Sequence, residues 1–156
     1  MSTQLDEMYR DIIMDHFRAP RGATPLPQVD IRGGGKNPSC GDELEMEVAV
    51  DGDRVGDIHI GCKGCAISVA SGSMLADIVK GKTLAEAKRI AELVRRMLKG
   101  EEVEIPEDLE DIDALQGVRK FPVRIKCALL AWVTFIEGMD NFESGKDKSA
   151  TTTTEI

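Results

Sequence analysis

Cys40 and Asp42 stand two residues apart in Asn37-Pro38-Ser39-Cys40-Gly41-Asp42, and two further cysteines, Cys65 and Cys127, fall at the starts of later helix-like stretches. A fold that uses all four must bring three separate segments to one point. Three thiols and a carboxylate are the donor types that a borderline-soft ion such as zinc selects. In an extended segment residues i and i+2 face one side, roughly 7 Å apart along the chain. Cys40 and Asp42 therefore converge on one ion if they sit where a first strand begins. At the start of a helix, orphan N–H groups and the helix dipole favour Cys65 as a thiolate. Arg124 precedes Cys127 by three residues, on a neighbouring face of the same helix.

Charge supports the grouping. Three thiolates and a carboxylate around a divalent cation leave a net negative site, and Arg119, Lys120, Arg124 and Lys126 cluster just before Cys127. Arg119 and Lys120 read as an ordinary solvated basic turn. Arg124 is assigned, with Asp42, to tuning ligand exchange, since a guanidinium could release Asp42 by competing for its carboxylate. Cys62-Lys63-Gly64-Cys65 has the spacing of a zinc knuckle or a redox pair. The thioredoxin-like βαβ pattern is absent, however, and a four-thiolate site would be closed and structural. Asp42 in place of one thiolate makes a weaker, exchangeable set. His16 reads as a packed or capping side chain, and His59 as facing away from Ile58 and Ile60. Met8, Met14, Met46, Met74 and Met97 read as core filling. No Walker lysine and serine follow Gly33-Gly34-Gly35, so that run reads as flexibility and not as a phosphate loop.

At 156 residues the chain suits one domain with a real core. A net charge of −8 argues against nucleic acid or an anionic membrane as partner. No apolar run approaches a membrane span, and the opening ten residues are too charged for a signal peptide. The expected location is the cytoplasm, where reduced cysteines serve metal binding or catalysis in preference to disulfides.

Helical spacing of Leu5, Met8, Tyr9, Ile12, Ile13 and His16 before Pro20 predicts an opening helix. Residues 20 to 41 read as a long loop in which Val29 and Ile31 can add a short edge strand. Alternation through Leu44, Met46, Val48 and Val50, the Asp51-Gly52 turn and the run from Val55 to Ile60 predict a β-hairpin. Ile67 to Ile78 form a helical stripe stopped at Gly81. Thr83 with Glu86 is a capping box that opens a helix ending near Gly100. Residues 101 to 118 suggest a loop with a short helix, and Pro122 suits the first turn of a last helix to about Met139. One domain over residues 1 to 142 is expected, with 143 to 156 a disordered tail.

Asn37 to Asp42, Gly64-Cys65-Ala66-Ile67-Ser68 and Arg124-Ile125-Lys126-Cys127 resemble the three signature segments of the IscU/NifU-like iron–sulfur assembly family. Tyr9-Arg10 through His16, with Pro20-Arg21 after it, resembles that family's first helix. Lys126 stands where classical scaffolds carry a histidine, and the stretch around Asp111 to Gly117 resembles the insertion of the SufU branch. The resemblance implies an α+β fold: a small antiparallel sheet of about three strands covered on one side by helices, with the metal at one end. It implies Zn2+ held by Cys40, Asp42, Cys65 and Cys127, and persulfide sulfur accepted from a SufS-type cysteine desulfurase. Cys62 departs from the usual pattern and is expected to stand outside both roles.

Three functions follow as expectations. The first is a zinc-dependent sulfur carrier, sulfurtransferase-like, in which Cys40 relays sulfur towards a downstream iron–sulfur scaffold or apo-acceptor. The second is a scaffold that assembles a transient Fe–S cluster on the same cysteines. The third is an interaction module with a purely structural zinc.

Overall fold

A computed structural model describes residues 3–145 and 152–155 of the chain. Three antiparallel strands, β1 (Ile31–Asn37), β2 (Asp42–Asp51) and β3 (Arg54–Lys63), form a meander in the order β3-β2-β1. Along β2, Leu44, Met46 and Val48 point into the core while Glu43 and Glu45 face out, the alternation expected of a half-buried strand. The register sets Val48 between Ile31 and Ile58, Met46 between Gly33 and Ile60, and Leu44 between Gly35 and Cys62. The last rung of β1 and β2 pairs Asn37 with Asp42, so Pro38 to Gly41 form the tip of a hairpin. His59 takes the opposite face, as expected. It is buried there all the same, with Nδ1 2.9 Å from the carbonyl of Gly22.

All four long helices contribute to the buried core that covers the sheet: α1 (Thr3–Arg18), α2 (Ala66–Val79), α3 (Leu84–Leu98) and α5 (Pro122–Glu143), the last following the short α4 (Glu110–Asp113). The Thr83 hydroxyl accepts from the Glu86 N–H at 3.1 Å and caps α3 as the sequence predicts. In α5, Ala128, Leu130, Trp132, Phe135 and Met139 are all buried, the pattern of a helix enclosed on most sides. It lies against β1 and β2 on one side and against α2 and α3 on the other. Trp132 Nε1 donates to Ser71 Oγ at 2.7 Å, and that hydroxyl donates to the carbonyl of Ala128 at 2.6 Å, so the polar groups of Trp132 and Ser71 are satisfied. Residues 107 to 120 wind in short helical turns over α1, held by Tyr9–Asp113 (3.1 Å), His16–Asp111 (2.8 Å) and Lys120–Asp6 (3.0 Å) contacts. On α1, Ile13 and His16 are buried but Met8 is exposed, and the Leu5 side chain lies outside the described residues.

Two expectations are corrected. Residues 31 to 37 are strand and not flexible loop. A Cβ on Gly35 would meet Leu130 Cδ1 at 2.9 Å as well as Thr134 Oγ1, and one on Gly33 would meet Met46 and Thr134 at 3.1 and 3.2 Å. The glycine run is the surface on which α5 comes down onto the sheet. The expected disordered tail is also revised: Glu143 belongs to α5, and Thr152–Glu155 form β4, parallel to β1 with Gly33 paired to Thr152. β-Branched threonines suit an extended conformation, and β1 offers the free ladder of an edge strand. The remainder of that tail, residues 146–151 and 156, lies outside the described residues.

Gly35→Ala should cost about 1–3 kcal/mol of stability by overpacking the α5–β1 contact. Thr134→Ala in the same chain should recover part of that loss. Urea unfolding of the metal-free protein measures both, and an unchanged midpoint for Gly35→Ala would contradict the packing described.

Candidate metal centre

The hairpin tip needs a sharp turn. The Asn37 carbonyl accepts from the N–H of Cys40 (3.2 Å) and of Gly41 (2.9 Å), and Gly41 takes φ +74°, a conformation that glycine adopts without steric cost. This turn holds Cys40 half-buried above the end of the sheet. Asp42 begins β2 and points inward, only 1% exposed. Cys127 is fully buried in the second turn of α5. Ligand atoms of Cys40, Asp42 and Cys127 all lie within 4.8 Å of one another.

Cys65 is the N-cap of α2. Its backbone N–H donates to Asp42 Oδ1 at 3.0 Å, and its thiol borders Cys127 while lying 3.8 Å from Ser68 Oγ. The structure thus gathers Cys40, Asp42 and Cys127 as one set and places the Cys65 sulfur at its border. Arg124 is exposed at the rim, with Cys65 its strongest electrostatic neighbour and Cys127 and Cys40 next in order. The Arg124 guanidinium holds its proton more firmly than usual, chiefly through its electrostatic interaction with Cys65. Among the described residues no ion pair joins Arg124 to Asp42, the carboxylate for which competition was expected. Cys62 stands on β3 beside Leu44 and reaches Ser68 Oγ at 3.5 Å, outside the gathered set.

Asp42 is held from several sides. Burial works against its charge, but the Cys65 N–H, the Cys127 thiol, the Asn37 amide and the Ser68 hydroxyl together hold its carboxyl below the usual range. Cys127 moves the other way: burial, then hydrogen bonding with Asp42, Cys40 and Cys65, pushes its thiol far up. Burial also raises the Cys62 thiol, despite its contact with Ser68. Gly64 makes room for the arrangement, because a Cβ there would overlap Asp42 Oδ1 and stand 2.8 Å from Ser68 Oγ.

The donor set fits zinc. Zn–S and Zn–O lengths of roughly 2.3 and 2.0 Å separate tetrahedral ligands by roughly 3.3–3.8 Å, inside the spread of the gathered atoms. Three residues that sequence reasoning left without a role, Asn37, Gly64 and Ser68, contact or frame the carboxylate. Ser68 had a local signal in its place three residues after the cap of α2. Beside the thiols opens a cleft of about 1210 Å³, lined by Tyr9, Ile13, Val118, Phe121, Val123 and Arg124 among others, with Cys40 and Cys65 in its wall.

A small α+β protein with a thiol–carboxylate centre at the end of its sheet is the class defined by these features. The model of the NifU-like N terminal domain matches residues 8–128. The chain is 41% identical over 147 residues to the zinc-dependent sulfurtransferase SufU of Bacillus subtilis, covering 92% of this chain and 97% of that protein. It is 38% identical over 130 residues to the iron-sulfur cluster assembly scaffold protein IscU of Streptococcus pyogenes, covering 83% and 81%. A putative iron-sulfur cluster assembly scaffold protein for the SUF system from Fervidobacterium islandicum superposes with a TM-score of 0.77 at 32% identity, covering 83% of this chain and 94% of that one. The chain belongs to the NifU-like N-terminal domain family, as its three cysteine segments suggested. Among its described residues, no helix is long and apolar enough to cross a membrane.

Burial and thiol basicity rank the cysteines. In the native metal-free protein, iodoacetamide should label Cys40 and Cys65 roughly tenfold or more faster than Cys127, with Cys62 in the slow class. Timed quenching and peptide mass spectrometry measure the rates. Equal labelling of Cys40 and Cys127 would contradict the placement.

Proposed function

We propose that this chain serves iron–sulfur cluster biogenesis by accepting sulfur on Cys40 from a SufS-type cysteine desulfurase and passing it to a downstream scaffold or apo-acceptor. The observation that carries this reading is the unequal holding of the donors. Asp42 is tied by hydrogen bonds to Asn37, Cys65 and Ser68 and Cys127 is fully buried, whereas Cys40 rides on the partly exposed tip of a hairpin. In this reading Cys40, Asp42, Cys65 and Cys127 hold zinc. Bound zinc supplies the positive charge that keeps the sulfurs as thiolates at neutral pH.

In the transfer step the Cys40 thiolate attacks the outer sulfur of the partner's cysteine persulfide. The partner's S–S bond breaks, a new S–S bond forms on Cys40, and the partner cysteine leaves as a thiolate. Arg124 offers a fixed positive charge beside the thiols, suited to steadying the negative charge that passes between the two proteins. The cleft next to Cys40 and Cys65 gives a partner's chain a way in, and Phe121 and Val123, 59% and 62% exposed, form part of its lining.

Assembly of a transient Fe–S cluster is the second reading, favoured by the likeness to the Streptococcus pyogenes scaffold. Lys126, exposed before Cys127, supplies no imidazole where classical scaffolds carry histidine, and this favours the carrier. The working compartment in this reading is the cytoplasm.

Cysteine turnover by the cognate desulfurase under reductant tests the proposal. Catalytic amounts of the zinc-loaded protein should stimulate turnover, and Cys40→Ala should return it to the desulfurase's own rate. Undiminished stimulation by Cys40→Ala would sink the carrier reading.

A further inference from the structure

Asn37 is fully buried at the end of β1, and its side chain touches more of the site than the Asp42 carboxylate alone. Its amide Nδ2 donates to Asp42 Oδ2 at 3.2 Å and reaches Cys127 Sγ at 3.6 Å. Its Oδ1 is buried without a partner among the described residues. An amide left half-satisfied in the interior is a cost that an apolar side chain of the same size would not carry. The orientation follows from the site's charge. Turned over, Oδ1 would face a carboxylate and a sulfur, both acceptors once ionised. The position is therefore built around two N–H bonds to the site, at the expense of the oxygen.

We infer that Asn37 is a positioning residue of the metal centre, whose amide bridges Asp42 and Cys127, fixes those two donors as a pair and leaves Cys40 as the one that moves. This deepens the function proposed above and rests on it. Both carboxylate oxygens of Asp42 are engaged: Oδ1 by the Cys65 N–H and the Ser68 hydroxyl, Oδ2 by Asn37. A donor held from both ends keeps its orientation when a neighbouring ligand leaves. The N–H directed at Cys127 gains strength once that sulfur is a thiolate, because a hydrogen bond to an ionised acceptor is the stronger kind. Cys40 receives nothing from the Asn37 amide. Asn37 holds it only through the turn, where the Asn37 carbonyl accepts from the Cys40 backbone N–H. One residue thus shapes the tip that carries the partly exposed Cys40 thiol and restrains the other two donors.

The test uses full-length parent, Asn37→Leu, Asn37→Ser, Asp42→Ala and the Asp42→Ala/Asn37→Leu double variant, with zinc affinity from chelator competition and Co(II) as spectroscopic probe. Asn37→Leu keeps the volume without the donors, and its metal-free melting temperature should match or exceed the parent's. Its zinc affinity should nevertheless fall roughly 10–100-fold, with a changed sulfur-to-cobalt absorption. Asn37→Ser, which retains a donor, should recover part of the affinity. In the Asp42→Ala background the same leucine substitution should cost a smaller factor, because one of its two partners is gone. Parental affinity and spectrum in Asn37→Leu would overturn the inference while leaving the metal reading intact. Loss of the metal-free fold in both single variants would make Asn37 a folding residue and also overturn it. A parent that binds Co(II) without sulfur-to-metal absorption would remove the metal reading itself, and this inference with it.

Discussion

The carboxylate of Asp42 is the tie on which the rest of the site depends. It takes hydrogen bonds from the end of β1, from the backbone at the start of α2 and from Ser68 one turn further on. The start of a helix is where a carboxylate is best tolerated, since unpaired N–H groups and the dipole both favour negative charge. A buried charge that is paired in this way draws three segments together, and breaking one of its bonds leaves the rest of the desolvation uncompensated. Cys40 then stands beside a donor that is already fixed, and Cys65 is carried in as the residue whose N–H does part of the fixing.

Delivering Cys127 to the same point is a matter of packing. It sits on a 22-residue helix whose register on the sheet is set by shape more than by polar contacts. Gly33 and Gly35 on β1, and Gly138 on α5, remove the side chains that would hold helix and strand apart; a Cβ on Gly138 would meet Met46 Cε at 2.7 Å. The polar tie at Asp42 and the close approach at the glycines lie at adjoining parts of one strand pair. The position of the buried sulfur is therefore determined by both.

Much of this was legible in the chain. The hairpin alternation from Leu44 to Ile60, the Thr83 cap and Pro122 in the first turn of α5 are local signals, and each lies where a local rule puts it. Cys40, Asp42 and Cys127 were legible because few residue types carry such chemistry. Gly33 to Gly35 misled, because a strand whose inward positions are glycine has lost the alternation by which strands are read, and its reason for being glycine lies about a hundred residues away in Thr134 and Leu130. β4 was hidden for a related cause: a short polar threonine run becomes a strand only where a free edge is on offer. The side-chain bond of Asn37 to Asp42 and the space left at Gly64 become visible only once Asp42 is in place. Arg124 lies near the thiols, and its strongest electrostatic neighbour is Cys65, a relation between two helix starts that no spacing rule supplies.

In the function proposed above, Cys40 is the one donor free to take sulfur while the others stay. The most direct test is to incubate the zinc-loaded protein with desulfurase and cysteine, trap the products with an alkylating reagent, and locate the added sulfur by peptide mass spectrometry. Added sulfur on the Cys40 peptide, with Cys62, Cys65 and Cys127 unmodified, is the expected result. Sulfur spread over several cysteines, or carried chiefly by Cys62 or Cys65, would contradict the account.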